Sequence, residues 1–120
     1  MKPMMPVALL LGAAMALGLW MGWQFLRRAN SNPIHIGFHL LLGVGAMEAV
    51  VMLIRSTPDA NLAAWDKPAA LVLALAVISG FATSVVARRW SRRSGGLVLA
   101  IHAVLAWVGF VMYLLWVFNL

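Results

Sequence analysis

Three histidines, His35, His39 and His102, are the side chains of this 120-residue chain with the widest range of chemistry. His35 and His39 are four residues apart in the stretch HIGFHLLLG, and His102 lies in the stretch AIHAV. All three belong to long apolar segments. An ionisable side chain at membrane depth is costly, so it usually faces a protein interior and is by default a candidate functional residue. An imidazole in such a place can bind a metal, carry a proton or bond to another helix.

Other kinds of chemistry are scarce in the composition. The absence of cysteine excludes disulfides, iron–sulfur clusters and thiolate metal sites. Three acidic residues leave little for carboxylate-based hydrolysis, and there is no glycine-rich phosphate-binding loop. We assign the formal net charge of +6 to membrane topology and contact with anionic lipid, not to nucleic acid. The composition therefore favours an electron-transfer or accessory subunit over a stand-alone enzyme.

The elements that must position the histidines are apolar helices. The chain is 64% hydrophobic with a mean hydropathy of +0.96, and a helix needs about 20 apolar residues to cross a bilayer. Continuous apolar runs favour helices over barrel strands, which alternate. Pro33 and Pro68 are placed for a first helical turn, after the cap-type residues Asn30, Ser31 and Asn32 in the case of Pro33. We predict an all-α membrane protein, residues 1–120 forming a single four-transmembrane-helix bundle with spans at about 5–26, 33–54, 68–87 and 96–118.

The loops predict the orientation of these spans. The segments RRANSNP and ARRWSRRSGG carry most of the arginines and lie on the same side of a four-span chain. Short loops rich in Lys and Arg stay cytoplasmic, so both termini face outward, in the multi-pass topology of a bacterial inner-membrane protein. The first span follows Lys2 like a secretory signal, but its length predicts a retained helix. Several aromatic residues lie toward span ends, as interfacial residues do: Trp20, Trp23, Tyr113 and Trp116.

Two of the histidines are predicted at the same depth. His39 comes six residues after Pro33, and His102 comes six residues after Gly96, at the start of parallel spans. At 1.5 Å per residue both rings lie roughly 9 Å below the cytoplasmic edge. Two histidines at equal depth on facing helices are what a bis-histidine haem b requires. We therefore predict a single haem b between the second and fourth helices, with His39 and His102 as iron ligands.

Residues around these two histidines complete the predicted haem site. Small residues at one or two helical turns past each ligand share its face and leave room for a porphyrin: Gly43, Ala106 and Gly109. Arginines at the nearer surface, including Arg28 and Arg89, are placed to bind the propionates. His35 is one turn from His39 on nearly the same face, where it bonds a propionate, donates to a quinone or packs in the interface.

In this respect the chain resembles small bacterial four-helix transmembrane b-type cytochromes, broadly the ferric-reductase-like group. The resemblance rests on the architecture together with His39 and His102, and it implies electron transfer. Many such proteins stack two haems and carry two histidines on each ligand helix, whereas here the fourth span has only one. A single haem cannot carry electrons across about 30 Å of hydrocarbon. A quinone or a membrane partner subunit would therefore complete the electron-transfer path.

Other interpretations stay open. The histidines can be interhelical hydrogen-bond partners, a metal site such as copper or zinc bound by the His35–His39 pair, or ligands of another pigment. Glu48 is half a turn out of phase with His39, and acts in proton transfer or as a neutral acid bonded to Ser79 or Thr83. Four-span multidrug transporters carry their membrane glutamate in the first span, not the second. The alternative function is a non-catalytic accessory or scaffold subunit of a respiratory or photosynthetic complex.

Overall fold

The computed structural model describes residues 4–28, 32–56 and 66–118. Within those ranges the chain is helical and contains no strand. Its helices are α1 (Met4–Leu26), α2 (Pro33–Ser56), α3 (Asp66–Arg89) and α4 (Arg92–Phe118). All four are long and apolar enough to cross a membrane, which confirms the predicted spans as helices. The largest difference is at α4, which begins at Arg92 and not at Gly96.

Side-chain caps set the beginning of two helices. The backbone N–H of Ile34 donates to Asn32 Oδ1 at 2.9 Å, so Asn32 is the N-cap of α2 and Pro33 is its first residue. The N–H of Ser94 donates to Ser91 Oγ at 3.0 Å and caps α4 in the same way. This cap starts α4 one turn before Gly96. The other predicted cap residues, at 30 and 31, lie outside the described residues.

A left-handed residue follows the end of helix α1. Arg28 has a φ of 56°, and its N–H donates to the carbonyl of Phe25 at 3.1 Å. Such a residue commonly closes a helix, and glycine usually occupies it because a Cβ is unfavourable there. Arginine at this position therefore carries a small backbone strain.

The chain divides into two compact units, Met1–Ser56 and Thr57–Leu120. Each unit contains two helices that are neighbours in sequence and pack together, α1 with α2 and α3 with α4. We call them the N-terminal hairpin and the C-terminal hairpin. The expectation of one four-helix bundle concerns packing between the units and stays a prediction.

The N-terminal hairpin buries one stripe of small and medium apolar residues on each helix. The residues on each helix are three or four apart, which places them on a single face. They are Val7, Leu11 and Ala14 on α1 and Ala46, Val50 and Leu53 on α2. His39 lies seven residues before Ala46, so it belongs to the α2 face that packs on α1.

The C-terminal hairpin has an antiparallel register marked by glycines. The marking contacts are Leu73 with Gly109, Gly80 with His102, and Ala87 with Gly95. Successive contacts are seven residues apart on both helices, which is about two turns. A Cβ at Gly95 would lie 2.7 Å from the Cβ of Ala87, so the backbones approach closely at this point. Small residues permit such an approach between apolar helices.

The outward faces of both hairpins are strongly apolar. Leu41, Ile78 and Leu97 are each more than 60% exposed. Water would make such surfaces unfavourable, whereas lipid chains cover them without cost. Tyr113 and Trp116 are both buried in the C-terminal hairpin and pack edge to face at 5.8 Å, so their rings contact protein. Their interfacial placement stays a prediction.

Candidate functional site

His102 is positioned by three residues of the neighbouring helix α3. Its ring is partly buried and lies against Gly80, where a Cβ would be 3.0 Å from Cε1. Its Nδ1 is 2.7 Å from the carbonyl oxygen of Ala76 and 3.4 Å from Ser79 Oγ. Because a carbonyl only accepts, the short contact requires the proton on Nδ1. In the neutral ring Nε2 then carries the lone pair, which is the form that binds a metal.

His39 has a similar environment in the N-terminal hairpin. Its partly buried ring lies against Gly18 of α1, where a Cβ would be 2.9 Å from Cε1. Its Nδ1 is buried as well. In both hairpins, therefore, a histidine of the second helix fits into a space that only a glycine of the first helix leaves open. We call these the two histidine–glycine contacts.

The two contacts occupy comparable levels of their hairpins. Gly18 is eight residues before the end of α1 at Leu26, and Gly80 is nine residues before the end of α3 at Arg89. These two distances, each measured to the end of the glycine's own helix, differ by one residue, or about 1.5 Å. Counted along the second helices the agreement is poorer, because His39 is six residues from the start of α2 and His102 is ten from the start of α4. The predicted equal depth rested on a start at Gly96.

His35 lies one turn before His39 and is also partly buried. Its Nδ1 is buried and has no hydrogen-bond partner among the residues that the structure describes. Among the described residues, no further His, Asp or Glu side chain joins the His35–His39 pair to form a metal site. Over residues 4–28, 32–56 and 66–118, no group of three or more His, Asp or Glu side chains could hold a metal ion.

The other residues predicted to surround a haem have different environments. Gly43 has open space beside it, with nothing within 4 Å of an added Cβ, and Ala106 is partly buried. Gly109 is buried against Leu73, whose Cδ2 would be 2.8 Å from an added Cβ, so it serves the packing of α3 on α4. Arg28 and Arg89 are exposed near the ends of α1 and α3.

These observations give a mixed answer on whether the residues fit a haem. The donor atoms fit, because a metal-binding histidine usually donates its other ring N–H to a carbonyl, as His102 does to Ala76. The predicted space fits at Gly43 but not at Gly109, which is filled by protein. The residues therefore fit a haem in the chemistry of their ligand atoms, and only in part in the space that they leave for it.

Glu48 is exposed on the N-terminal hairpin. The hydroxyls that it was predicted to bond are engaged within α3, where Ser79 Oγ donates to the carbonyl of Ala76 at 2.9 Å and Thr83 Oγ1 to that of Ser79 at 2.9 Å. Hydroxyls of apolar helices often bond in this way to a carbonyl one turn earlier.

The sequence interpretation missed the residues that hold the histidines, Gly18 and Gly80. It placed the important small residues on the histidine's own helix. Both glycines belong to series of small residues spaced four apart, so a signal for close packing is present. Pairing that signal with the histidines requires the hairpin register, which Leu73 with Gly109 reveals in the structure.

Comparison with known protein families, with curated proteins and with solved structures finds no match for this chain.

Proposed function

We propose that this chain is a multi-pass protein of the bacterial inner membrane, with both termini outside the cytoplasm, that binds one haem b through His39 and His102. Its role is electron transfer with a quinone or with a partner subunit of the same membrane. This proposal requires one imidazole from each hairpin.

The observation that supports it is the histidine–glycine contact found in both hairpins. In each, an imidazole within an apolar helix pair is held by close packing on a glycine. In the C-terminal hairpin the bond from Nδ1 to Ala76 also fixes the tautomer. A ligand that is fixed before it binds a metal loses less freedom on binding, and the bond to Ala76 holds the orientation of the ring.

The chain's own residues then have separate roles. His39 and His102 supply the ligand nitrogens, and Ala76 orients His102 through its carbonyl. Arg28 and Arg89, exposed near helix ends, supply positive charge for carboxylates near the membrane surface. A bound haem would supply a one-electron redox couple. The apolar outer faces keep the protein in lipid, where a quinone is also dissolved.

The test is an oxidised and a dithionite-reduced visible spectrum of the full chain purified in detergent, with a pyridine haemochrome assay. We expect a b-type α band and one haem per chain. His39→Ala and His102→Ala should each abolish haem binding, because each removes one axial ligand. His35→Ala is the matched control, since it removes an imidazole one turn away and should keep the haem.

Retention of haem in either ligand variant would contradict the assignment. A featureless spectrum of protein made in haem-replete cells would also contradict it. Far-UV circular dichroism of each variant separates loss of haem from loss of the helices.

A second candidate function is that of an accessory subunit that binds no cofactor and packs in a larger membrane complex. A specific observation favours it: the bond from His102 to Ala76 is also what a purely structural histidine makes between two helices. This function predicts colourless protein in which His102→Ala weakens the C-terminal hairpin. Copurification of the tagged chain with other membrane subunits would support it.

A further inference from the structure

The end of α1 near Arg27 carries a shallow groove on one helix face. Its lining residues follow the i, i+3, i+4, i+7 spacing of a single face: Trp20, Trp23, Gln24 and Arg27. The cavity volume is about 280 Å³. Trp20 and Trp23 are 50% and 54% exposed, so the groove opens to the surroundings of the helix.

The groove combines a cation and an amide with two indole rings. The guanidinium carbon of Arg27 is 5.7 Å from the centre of the Trp23 ring, a cation–π distance. Gln24 bears the only side-chain amide of α1 and is partly buried. Donors therefore lie next to apolar surface, which is an arrangement suited to a ligand with a polar head and an apolar body.

The charges at this end of the hairpin are all positive. Arg28 is next to Arg27, and the only acidic residue in the sequence of this unit is Glu48. Glu48 is fifteen residues beyond Pro33 at the start of α2, which is about 22 Å along the helix. No carboxylate pairs with Arg27 among the residues that the structure describes. Within the described part of the N-terminal hairpin, an anionic ligand therefore meets no competing acid at the groove.

We propose that this groove binds the phosphate headgroup of an anionic phospholipid. Arg27 and Gln24 would donate hydrogen bonds to the phosphate oxygens. A guanidinium can form two parallel N–H···O bonds to one phosphate group. The indoles of Trp20 and Trp23 would lie at the level of the headgroup and glycerol, where tryptophan is enriched. The acyl chains would continue along the apolar surface of α1. This site is independent of the proposed haem function.

The C-terminal hairpin offers a matched control. α3 also ends in two arginines, Arg88 and Arg89. The positions seven, four and three residues before Arg89 hold Ala82, Val85 and Val86, so they supply neither the two indoles nor the amide of the groove. The one indole next to this arginine, Trp90, follows it in the chain. If charge alone retained lipid, both ends would behave alike.

The experiment is native mass spectrometry of the full chain released from detergent. The chain is first equilibrated with equal amounts of phosphatidylglycerol and phosphatidylcholine that have the same acyl chains. We expect one phosphatidylglycerol to be retained in preference. Arg27→Gln should weaken its retention about tenfold, as loss of a charge-assisted bond does. Arg89→Gln should leave it unchanged, and Gln24→Leu should weaken it less than Arg27→Gln.

Four results would overturn the proposal. Equal retention of the two lipids would show no headgroup recognition. Equal losses in Arg27→Gln and Arg89→Gln would show attraction by general positive charge. Displacement by inorganic phosphate at the same concentration as the lipid would assign the groove to a free anion, and recovery of a bound protein in place of lipid would assign it to a partner. Helix content by circular dichroism checks that each variant is folded.

Discussion

Replacing Gly80 by alanine tests the histidine–glycine contact directly. The new methyl group would lie 3.0 Å from Cε1 and 3.2 Å from Nδ1 of His102. Carbon atoms pack best at about 3.5–4.0 Å, so the ring has to move by several tenths of an ångström. The displaced atoms include Nδ1, which donates the 2.7 Å hydrogen bond to the carbonyl of Ala76. Moving the ring therefore weakens this bond.

The magnitude follows from three opposing effects. Overpacking of a well-packed contact costs about 1–3 kcal/mol. Weakening a hydrogen bond between membrane helices costs about 0.6 kcal/mol on average. Removing a glycine from a helix returns about 0.5–1 kcal/mol. We therefore expect Gly80→Ala to lower the free energy of unfolding by roughly 0.5–3 kcal/mol.

The assay is reversible unfolding of the full chain in mixed detergent micelles, followed by far-UV circular dichroism. The substitution is made in the natural chain and again in the His102→Ala variant. With the ring absent, the methyl group enters the space that the ring leaves, so Gly80→Ala should become neutral or stabilising by up to about 1 kcal/mol. The difference between the two backgrounds is the coupling energy of the pair.

A Gly80→Ala substitution with the same cost in both backgrounds would refute the reasoning. The contact would then not be the reason for glycine at this position. Unchanged stability in the natural chain would refute it as well, because the ring would have moved at no cost.

Three further predictions concern helix ends and close approaches. Gly95→Ala should lower the free energy of unfolding by about 1–3 kcal/mol, because its Cβ would be 2.9 Å from the backbone Cα of Ala87; Gly22→Ala, with nothing within 4 Å, should be neutral or stabilising in the same assay. Ser91→Ala removes the cap of α4 and should cost about 1 kcal/mol, seen as faster amide hydrogen exchange confined to the first turn of that helix; uniform acceleration along α4 would contradict a local cap. Arg28→Gly relieves the left-handed residue and should raise the unfolding free energy by about 1 kcal/mol; a loss of stability would show that the arginine side chain matters more than its backbone.

The helices themselves could be predicted from the sequence because a backbone in lipid has to satisfy its own hydrogen bonds. Four apolar runs of sufficient length therefore gave the four helices in the described residues. The predicted helix boundaries agree with the structure where a capping side chain marks them, as at Asn32 and Pro33. The start of α4 was missed because Ser91 caps a first turn that carries Arg92 and Arg93, charges that an apolar criterion excludes.

The candidate site could be predicted only in part. The sequence identifies a histidine within an apolar helix, but it does not identify the residue on the adjacent helix that the histidine contacts. His39 and His102 do share one kind of environment, yet it is made by Gly18 and Gly80 on the preceding helices. Gly109 has the correct spacing from His102 and is nevertheless filled by Leu73. Spacing along one helix gives the face of a residue, whereas the occupant of that face depends on the register of the two helices.

The division into two hairpins has a consequence for biosynthesis. Within each unit the packed helices are consecutive in the chain, and α3 is joined to α4 by only Trp90 and Ser91. Contacts between neighbouring segments form quickly because little chain has to be closed into a loop. Each pair can therefore pack as soon as its second helix leaves the ribosome. In both hairpins the helix that carries the glycine is synthesised before the helix that carries the histidine. We therefore expect packing order to follow translation order, with the N-terminal hairpin completing its histidine–glycine contact before α3 and α4 are made.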